Sequence, residues 1–283
     1  MKNVLILCLL VVSTIAYGQK RAFEIYDQEG NKTSYQEVLK QTKQNDVVLF
    51  GEFHNNPIHH WLQLELISDL QKEGESLMLG AEMMEADNQL VVDEYLSGII
   101  SEKKLISESK TWTNFKTDYL PLMQFAKENK LPFIATNVPR RYASVVYKHG
   151  LDTLSYLSDL AKSYIAPLPI AVDTSLNTYQ EMLAMGMGHG GDKFPQSQAL
   201  KDATMAHFIL ENREKGSLFV HFNGAFHSKQ YEGIYWYLKQ SSKRLKVLTI
   251  SSCEQEELDA LAEEQIGEAD FIIVTPTNMT KTH

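Results

Sequence analysis

Two Gly-x-x-His motifs carry the residue types most suited to chemistry in this sequence. They occupy residues 51–54 and 224–227, about 170 residues apart, and each directly follows a short run of β-branched or aromatic residues. Such runs are typical of buried strands that end in a turn. Functional side chains gather beyond the carboxyl ends of parallel strands. We therefore expect His54 and His227 to lie in one crevice.

A third Gly-x-x-His motif, at residues 186–189, has a different context. It follows a helical pattern and lies in a stretch rich in Gly and Met. Gly at this density predicts a flexible loop. The alternative is a loop whose Met and His side chains bind a soft metal or haem.

Polar side chains also follow two other predicted strands. Glu82 ends one of them, and Asn137 and Arg140 follow another. Imidazole and carboxylate groups bind divalent cations, and a guanidinium group holds a carboxylate or phosphate. If the protein is a hydrolase, we expect His54, Glu82, Arg140 and His227 to be catalytic. In that case His54, Glu82 and His227 are the predicted metal ligands, and Glu52, Asn137 and Arg140 are the predicted substrate-binding residues.

Structural roles are the alternative for these side chains. Glu82 could cap the helix that follows its strand, because acidic groups stabilise a first helical turn. Arg140 could simply pair with Glu82 or Glu85. Glu52 could point away from His54 into a structural hydrogen bond.

Alternating strand and helix patterns position these residues. After a small β-hairpin within residues 23–35, strands are predicted at 47–50, 77–81, 132–136, 217–222, 245–250 and 270–274. Helical patterns fill most of the gaps. The alternation predicts an α/β fold with a mostly parallel β-sheet flanked by helices. Residues 86–129 and 139–215 are too long for single crossovers, so we expect helical insertions that form a cap subdomain.

The first residues are typical of an export signal. Lys2 precedes an apolar run at residues 4–16, and Ala16-Tyr17-Gly18 has the small-x-small form of a cleavage site. The run is too short to span a bilayer. We expect residues 1–18 to be a signal peptide and residues 19–283 to form one domain without a transmembrane span. The predicted location is the periplasm, the cell envelope or the exterior, and Cys8 is poorly placed for lipid attachment.

Composition limits the classes of fold and partner. The chain has two cysteines, and signal removal leaves only Cys253, which cannot form an internal disulfide. The fold must then rest on its apolar core, for which 43% hydrophobic residues are ample. The net charge is −9 and no basic stripe is present, so nucleic acid is not an expected partner.

The order of these motifs resembles a known family. The chain is similar to the ChaN-like branch of the haem-binding uptake/Tiki superfamily, which is related to TraB-like proteins and erythromycin esterases. The resemblance runs from about residue 47 to residue 227. It is carried by residues 51–54, Glu82-Met83, Trp112, Tyr119-Leu120-Pro121, residues 137–140, residues 202–206 and residues 224–227.

The resemblance implies two different functions. The ChaN-like branch is associated with haem binding and iron uptake at the bacterial envelope, and it implies a homodimer that holds haem through a Tyr ligand. Tyr119 is the candidate ligand in this sequence. We expect an exported haem- or iron-binding protein that acts in haem or iron uptake, with an outer-membrane uptake receptor as a partner. The Tiki and esterase branches imply the alternative, a metal-dependent hydrolase that uses the paired Gly-x-x-His site.

Overall fold

A computed structural model of the protein describes residues 20–185, 191 and 193–283. The predicted signal peptide and the third Gly-x-x-His motif lie outside these residues. The described chain contains one eight-stranded sheet in the order β2-β1-β8-β7-β3-β6-β4-β5. Its strands are β1 (Glu24–Asp27), β2 (Lys32–Thr33), β3 (Val47–Glu52), β4 (Leu77–Glu85), β5 (Phe133–Asn137), β6 (Leu218–Gly224), β7 (Val247–Gln255) and β8 (Phe271–Pro276).

The sheet is parallel from β5 to β8, and the antiparallel pairings are those made by β1 of the N-terminal hairpin. β1 pairs antiparallel with both β2 and β8. All residues of β3, β4 and β6 are buried. Strands covered by helices on both faces read as nearly continuous apolar runs, which is why their positions are visible in the sequence. The predicted α/β fold with a mostly parallel sheet is confirmed.

Helices fill the connections between strands. They are α1 (Tyr35–Thr42), α2 (Pro57–Lys72), α3 (Gln89–Leu96), α4 (Glu102–Glu108), α5 (Phe115–Asp118), α6 (Leu120–Asn129), α7 (Arg140–His149), α8 (Asp159–Lys162), α9 (Asn177–Met185), α10 (Lys193–Asn212) and α11 (Ile234–Ser241). Short 3-10 turns lie at Ala86–Asn88, Leu151–Tyr156, Ala225–His227, Lys229–Tyr231 and Glu263–Gln265. Within the described residues, none of the helices is long and apolar enough to cross a bilayer.

The two insertions are helical. α3 to α6 form the first, and their apolar side chains join the main core on the sheet face that also carries α2. α7 to α10 form the second, and α10 packs Met205 and Ile209 against Leu49 and Phe219 on the other face. Two small separate clusters, one around Val146 and one around Tyr179, hold the remainder of the second insertion together. Both insertions therefore reach the same end of the sheet from opposite sides.

Several boundaries differ from the sequence prediction. The second arm of the hairpin is shorter than predicted, because the Ser34 side chain accepts a hydrogen bond from the backbone N–H of Glu37 and starts α1. β3 runs on to Glu52, β4 to Glu85 and β7 to Gln255, since polar residues continue the strands beyond the apolar runs. Glu52 and Glu82 consequently lie inside their strands rather than after them.

Candidate functional site

The carboxyl ends of four parallel strands meet at one edge of the sheet. Glu52 at the end of β3 lies beside Gly224 at the end of β6, and Glu85 of β4 lies beside Asn137 of β5. This edge is the usual position of a ligand crevice in an open α/β sheet. The strand ends therefore bring together side chains that are far apart in the sequence.

The Glu52 carboxylate orients His54. Its Oε1 lies 2.9 Å from His54 Nδ1 and accepts a 2.6 Å hydrogen bond from the Tyr119 hydroxyl. Its Oε2 accepts a 2.6 Å bond from Gln63 and lies 3.3 Å from His60 Nε2. Glu52 thus points toward His54, and a buried, fully engaged carboxylate fixes the imidazole ring in one orientation.

The other nitrogen of His54 faces the crevice. A Cβ atom at Gly224 would lie only 2.8 Å from His54 Nε2, so the ring fits because position 224 has no side chain. Trp112 meets the His54 ring edge to face at a centroid distance of 4.7 Å. The side chain of His54 remains 36% exposed. Nε2 is thus available to a ligand, whereas Nδ1 is committed to Glu52.

His227 has an equivalent support. Its Nδ1 hydrogen-bonds to Asp202, whose Oδ2 accepts a 2.9 Å bond from the Tyr179 hydroxyl. Its Nε2 lies 3.1 Å from Glu82 Oε1, and Glu82 Oε2 accepts a 2.8 Å bond from the Gly224 N–H. Each histidine therefore has a buried carboxylate and a buried tyrosine behind it.

The carboxylates favour the protonated form of both histidines. Burial lowers the pKa of His54, but Glu52 and Glu82 outweigh it and raise the pKa above 6.5. Burial also lowers the pKa of His227, while Glu82 and Asp202 raise it to about 9. His227 is therefore a cation at neutral pH.

The carboxylates show the complementary effect. Burial raises the pKa of Glu52, yet the neighbouring His54 and His60 hold that pKa at about 2. Burial also favours protonation of Glu82, but His227 holds the pKa of this carboxyl well below its usual range. Burial does raise the pKa of Asp202. Glu52 and Glu82 are thus ionised throughout the physiological range.

Two adjoining clefts open at this edge. A cleft of about 510 Å³ contains His54 and His227, and a second of about 400 Å³ contains Asn137 and Arg140. Both clefts share Glu82, Gln198 and Lys201 as lining residues. The predicted site residues therefore lie in one continuous crevice with two compartments.

Arg140 and Asn137 face the second compartment. The Arg140 guanidinium donates to Glu85 and to the Lys110 carbonyl, so pairing with Glu85 is the alternative that the structure shows. The Asn137 amide donates a 2.9 Å hydrogen bond to the Glu82 carbonyl. Neither side chain contacts His54 or His227, and their predicted role in substrate binding stays a prediction.

The geometry gives no support to a metal centre formed by His54, Glu82 and His227. Within residues 20–185, 191 and 193–283, no group of three or more His, Cys, Asp or Glu side chains is arranged to hold a metal ion. His227 and both oxygens of Glu82 are already engaged by protein partners. The described residues therefore do not support a resident ion at these three side chains, and their role as metal ligands stays a prediction.

Tyr119 is poorly suited to the predicted role of haem ligand. Its ring is buried against Phe115 and His60, and its hydroxyl donates to Glu52. Burial and the adjacent carboxylate raise the pKa of the phenol far above its usual value. In the described structure Tyr119 therefore supports Glu52, and its assignment as a haem ligand stays a prediction.

Sequence reasoning missed several residues that hold the histidines. Gln63, Tyr179, Gln198 and Asp202 lie on helices outside both motifs. Asp202 offered one signal, because it stands in the 202–206 stretch that carries the family resemblance. The residues 281–283 also fold back here: the Thr282 N–H donates a 3.0 Å bond to the Asn55 carbonyl.

Comparisons with known proteins agree with this architecture. The sequence profile described as haem-binding uptake, Tiki superfamily, ChaN matches residues 38–238. A solved structure that describes cofacial haem binding to ChaN of Campylobacter jejuni aligns with a TM-score of 0.67 and 18% identity, over 90% of this chain and 98% of that one. A succinoglycan biosynthesis protein aligns with a TM-score of 0.51 and 11% identity, over 88% and 94% of the two chains. These two likenesses show a shared fold. The search of curated proteins gave no match.

Proposed function

We propose that this chain, which belongs to the ChaN family of the haem-binding uptake, Tiki superfamily, binds haem and acts in haem or iron uptake. The observation that carries the proposal is the profile match over residues 38–238, which spans nearly all of both insertions and the strand-end site. Export to the periplasm or cell envelope belongs to the same proposal, and the apolar run at residues 4–16 supports it. The proposal also includes a homodimer and an outer-membrane uptake receptor as a partner.

Haem requires a broad apolar face and an accessible ligand for its iron. The compartment that contains His54 and His227 is lined by charged side chains, among them Glu82 and Lys201, and Tyr119 and Tyr179 are buried. Tyr156, in the second insertion, is 90% exposed to solvent, and every other tyrosine in the described residues is buried or partly buried. We therefore propose Tyr156 as the residue that holds haem.

The exposed surroundings of Tyr156 support this role. Leu160, four residues further along the chain, is 68% exposed, so the segment that carries Tyr156 also exposes an apolar side chain. Isolated exposed leucines are common, but an exposed tyrosine close to one offers both an anionic ligand and an apolar contact. The face of a haem that rests there would remain open to a second chain, which fits the proposed homodimer.

Haemin titration of purified protein tests the haem proposal. We expect the wild type to shift the Soret band and to show the charge-transfer band of tyrosinate-ligated iron. Tyr156→Phe should weaken haemin binding at least tenfold and remove the charge-transfer band. The matched control is Tyr164→Phe, which alters a partly buried tyrosine of the same insertion. The His54→Ala/His227→Ala double variant should bind haemin as the wild type does.

The outcomes separate the parts of the proposal. Absence of haemin binding by the wild type would overturn the haem function. Normal binding and an unchanged spectrum in Tyr156→Phe would overturn only the assignment of the ligand. Loss of binding in a folded His54→Ala/His227→Ala variant would move haem to the strand-end site.

A second candidate function, hydrolysis, is favoured by the two supported histidines. His54 presents Nε2 to the crevice while Glu52 orients the ring, which is the arrangement of a general base. His227 is cationic at neutral pH and can donate a proton or stabilise developing negative charge. The proposal concerns acid–base hydrolysis, since the two supported histidines favour it and no metal site is found among the described residues.

The pH dependence of hydrolysis tests this second function. With p-nitrophenyl acetate and a peptide mixture as probes, activity should rise as His54 loses its proton and fall as His227 loses its proton near pH 9. Glu52→Gln removes a carboxylate that raises the pKa of His54, so the rising limb should move to lower pH. His54→Ala should abolish activity without loss of the circular dichroism signal. Full activity in that variant would contradict the assignment.

A further inference from the structure

The second compartment of the crevice has the features of a binding site of its own. We call it the aromatic cleft. It has a volume of about 400 Å³ and lies between the ends of β4 and β5 and the helices α7 and α10. This volume is in the range of small-molecule pockets. Three aromatic side chains line it, namely Trp112, Tyr147 and Phe194.

Two hydrogen-bond acceptors in the lining have no partner within the described part of the chain. They are Glu85 Oε2 and Asn137 Oδ1, and both atoms are buried. Glu85 is only 5% exposed. The other polar atoms of the two side chains are satisfied, because Glu85 Oε1 accepts from Arg140 and the Asn137 amide donates to Glu82. Buried acceptors are almost always paired in folded proteins, with protein or with water, so these two remain free to accept from water or from a bound molecule.

The charges around the aromatic cleft limit the class of ligand. Two carboxylates, Glu82 and Glu85, are balanced by two cations, Arg140 and Lys201. A cationic ligand would meet the two basic side chains, and an anionic ligand would meet the two acidic ones. The cleft therefore favours a neutral molecule that presents several hydroxyl or N–H donors.

We propose that the aromatic cleft binds a saccharide unit. Hydroxyl groups of a neutral sugar ring supply the donors that Glu85 Oε2 and Asn137 Oδ1 lack. The C–H face of the ring packs against the paired aromatic rings of Tyr147 and Phe194, whose centroids are 5.8 Å apart. The bound sugar would then lie beside Glu82, at the boundary with the compartment of His54 and His227.

Isothermal titration calorimetry with three disaccharides tests the proposal. The probes are cellobiose, maltose and N,N′-diacetylchitobiose, each titrated into the full chain. We expect at least one of them to bind. Glu85→Gln should weaken that binding at least tenfold, because an amide places a donor where a free acceptor stood.

Asp87→Asn is the matched control for Glu85→Gln. Asp87 also pairs with an arginine, Arg141, and also has a buried oxygen without a partner in the described chain, but it does not line the aromatic cleft. The control should bind the sugar as tightly as the wild type does. Tyr147→Leu provides a second variant that leaves the Glu85–Arg140 pair intact, and it should also weaken binding at least tenfold.

Three results would overturn the proposal. The first is the absence of any heat of binding for all three probes at about 20 mM, a concentration far above useful dissociation constants. The second is an unchanged affinity for the sugar in both Glu85→Gln and Tyr147→Leu. The third is a loss of affinity in Asp87→Asn equal to the loss in Glu85→Gln. Haemin and hydrolysis assays do not enter the test. Its failure therefore leaves the proposed function as it stands.

Discussion

The raised pKa of His227 predicts a specific loss of stability at alkaline pH. The folded protein holds this proton up to a pKa of about 9, whereas a histidine in an unfolded chain releases it near 6.5. A group whose pKa is raised by folding contributes stability that is complete below the unfolded pKa and is lost as pH rises through the folded pKa. With about 1.4 kcal/mol for each pKa unit, the contribution is on the order of 2 to 3 kcal/mol at pH 7 and close to zero at pH 10.

Urea unfolding followed by circular dichroism measures this contribution. The wild type is compared with the Asp202→Asn/His227→Gln double variant, because removal of His227 alone would leave Asp202 buried without its cationic partner. Between pH 7 and pH 10 the free energy of unfolding of the wild type should fall by roughly 2 to 3 kcal/mol more than that of the double variant. The slopes against urea concentration should agree, since both proteins bury the same surface.

A second histidine serves as the control. Burial lowers the pKa of His207, so this residue is neutral in both folded and unfolded chains above pH 7. His207→Gln should therefore have the same pH dependence as the wild type in this range. If the curves of the wild type and the Asp202→Asn/His227→Gln variant run parallel from pH 7 to pH 10, His227 does not carry a proton at neutral pH and its role as an acid is refuted.

Two further predictions concern the crevice and the N-terminus. Gly224→Ala should displace the His54 ring, because the added Cβ would lie 2.8 Å from Nε2. The pKa of His54 measured by NMR titration should then move toward 6.5. The fold should be kept, since the backbone φ of −61° at residue 224 tolerates alanine. An unshifted His54 titration in this variant would show that the ring does not lie against Gly224. N-terminal analysis of native protein should begin at Gln19, and an intact Met1 would exclude cleavage of the predicted signal.

The sheet and the edge that carries the site could be predicted from the sequence because they depend on local patterns. Val47 to Phe50 are apolar and buried on both faces, so the strand is visible without any tertiary information. The Gly residue that ends such a run marks the turn. Once the strands are known to be parallel, their carboxyl ends share an edge, and His54 and His227 fall on it.

The roles of individual side chains were less accessible because they depend on contacts between distant segments. Tyr119 and Tyr179 look alike in the sequence as residues of helical insertions. Their hydroxyl groups prove to support Glu52 and Asp202, which are 67 and 23 residues away along the chain. Arg140 follows a strand as a ligand-binding residue would, yet its guanidinium donates a hydrogen bond to Glu85. Hydrophobic periodicity carries no information about such pairings.

The position of Gly224 makes the two histidines a single titrating system. Its N–H binds the carboxylate that contacts His227, and its Cα lies against the ring of His54. Each imidazole also feels the charge of the other, since His227 opposes protonation of His54. Protons then leave in two macroscopic steps that belong to the pair. A ligand that fixes the charge on one ring would thereby set the charge on its neighbour, so occupancy of the crevice would be coupled to proton release into solution.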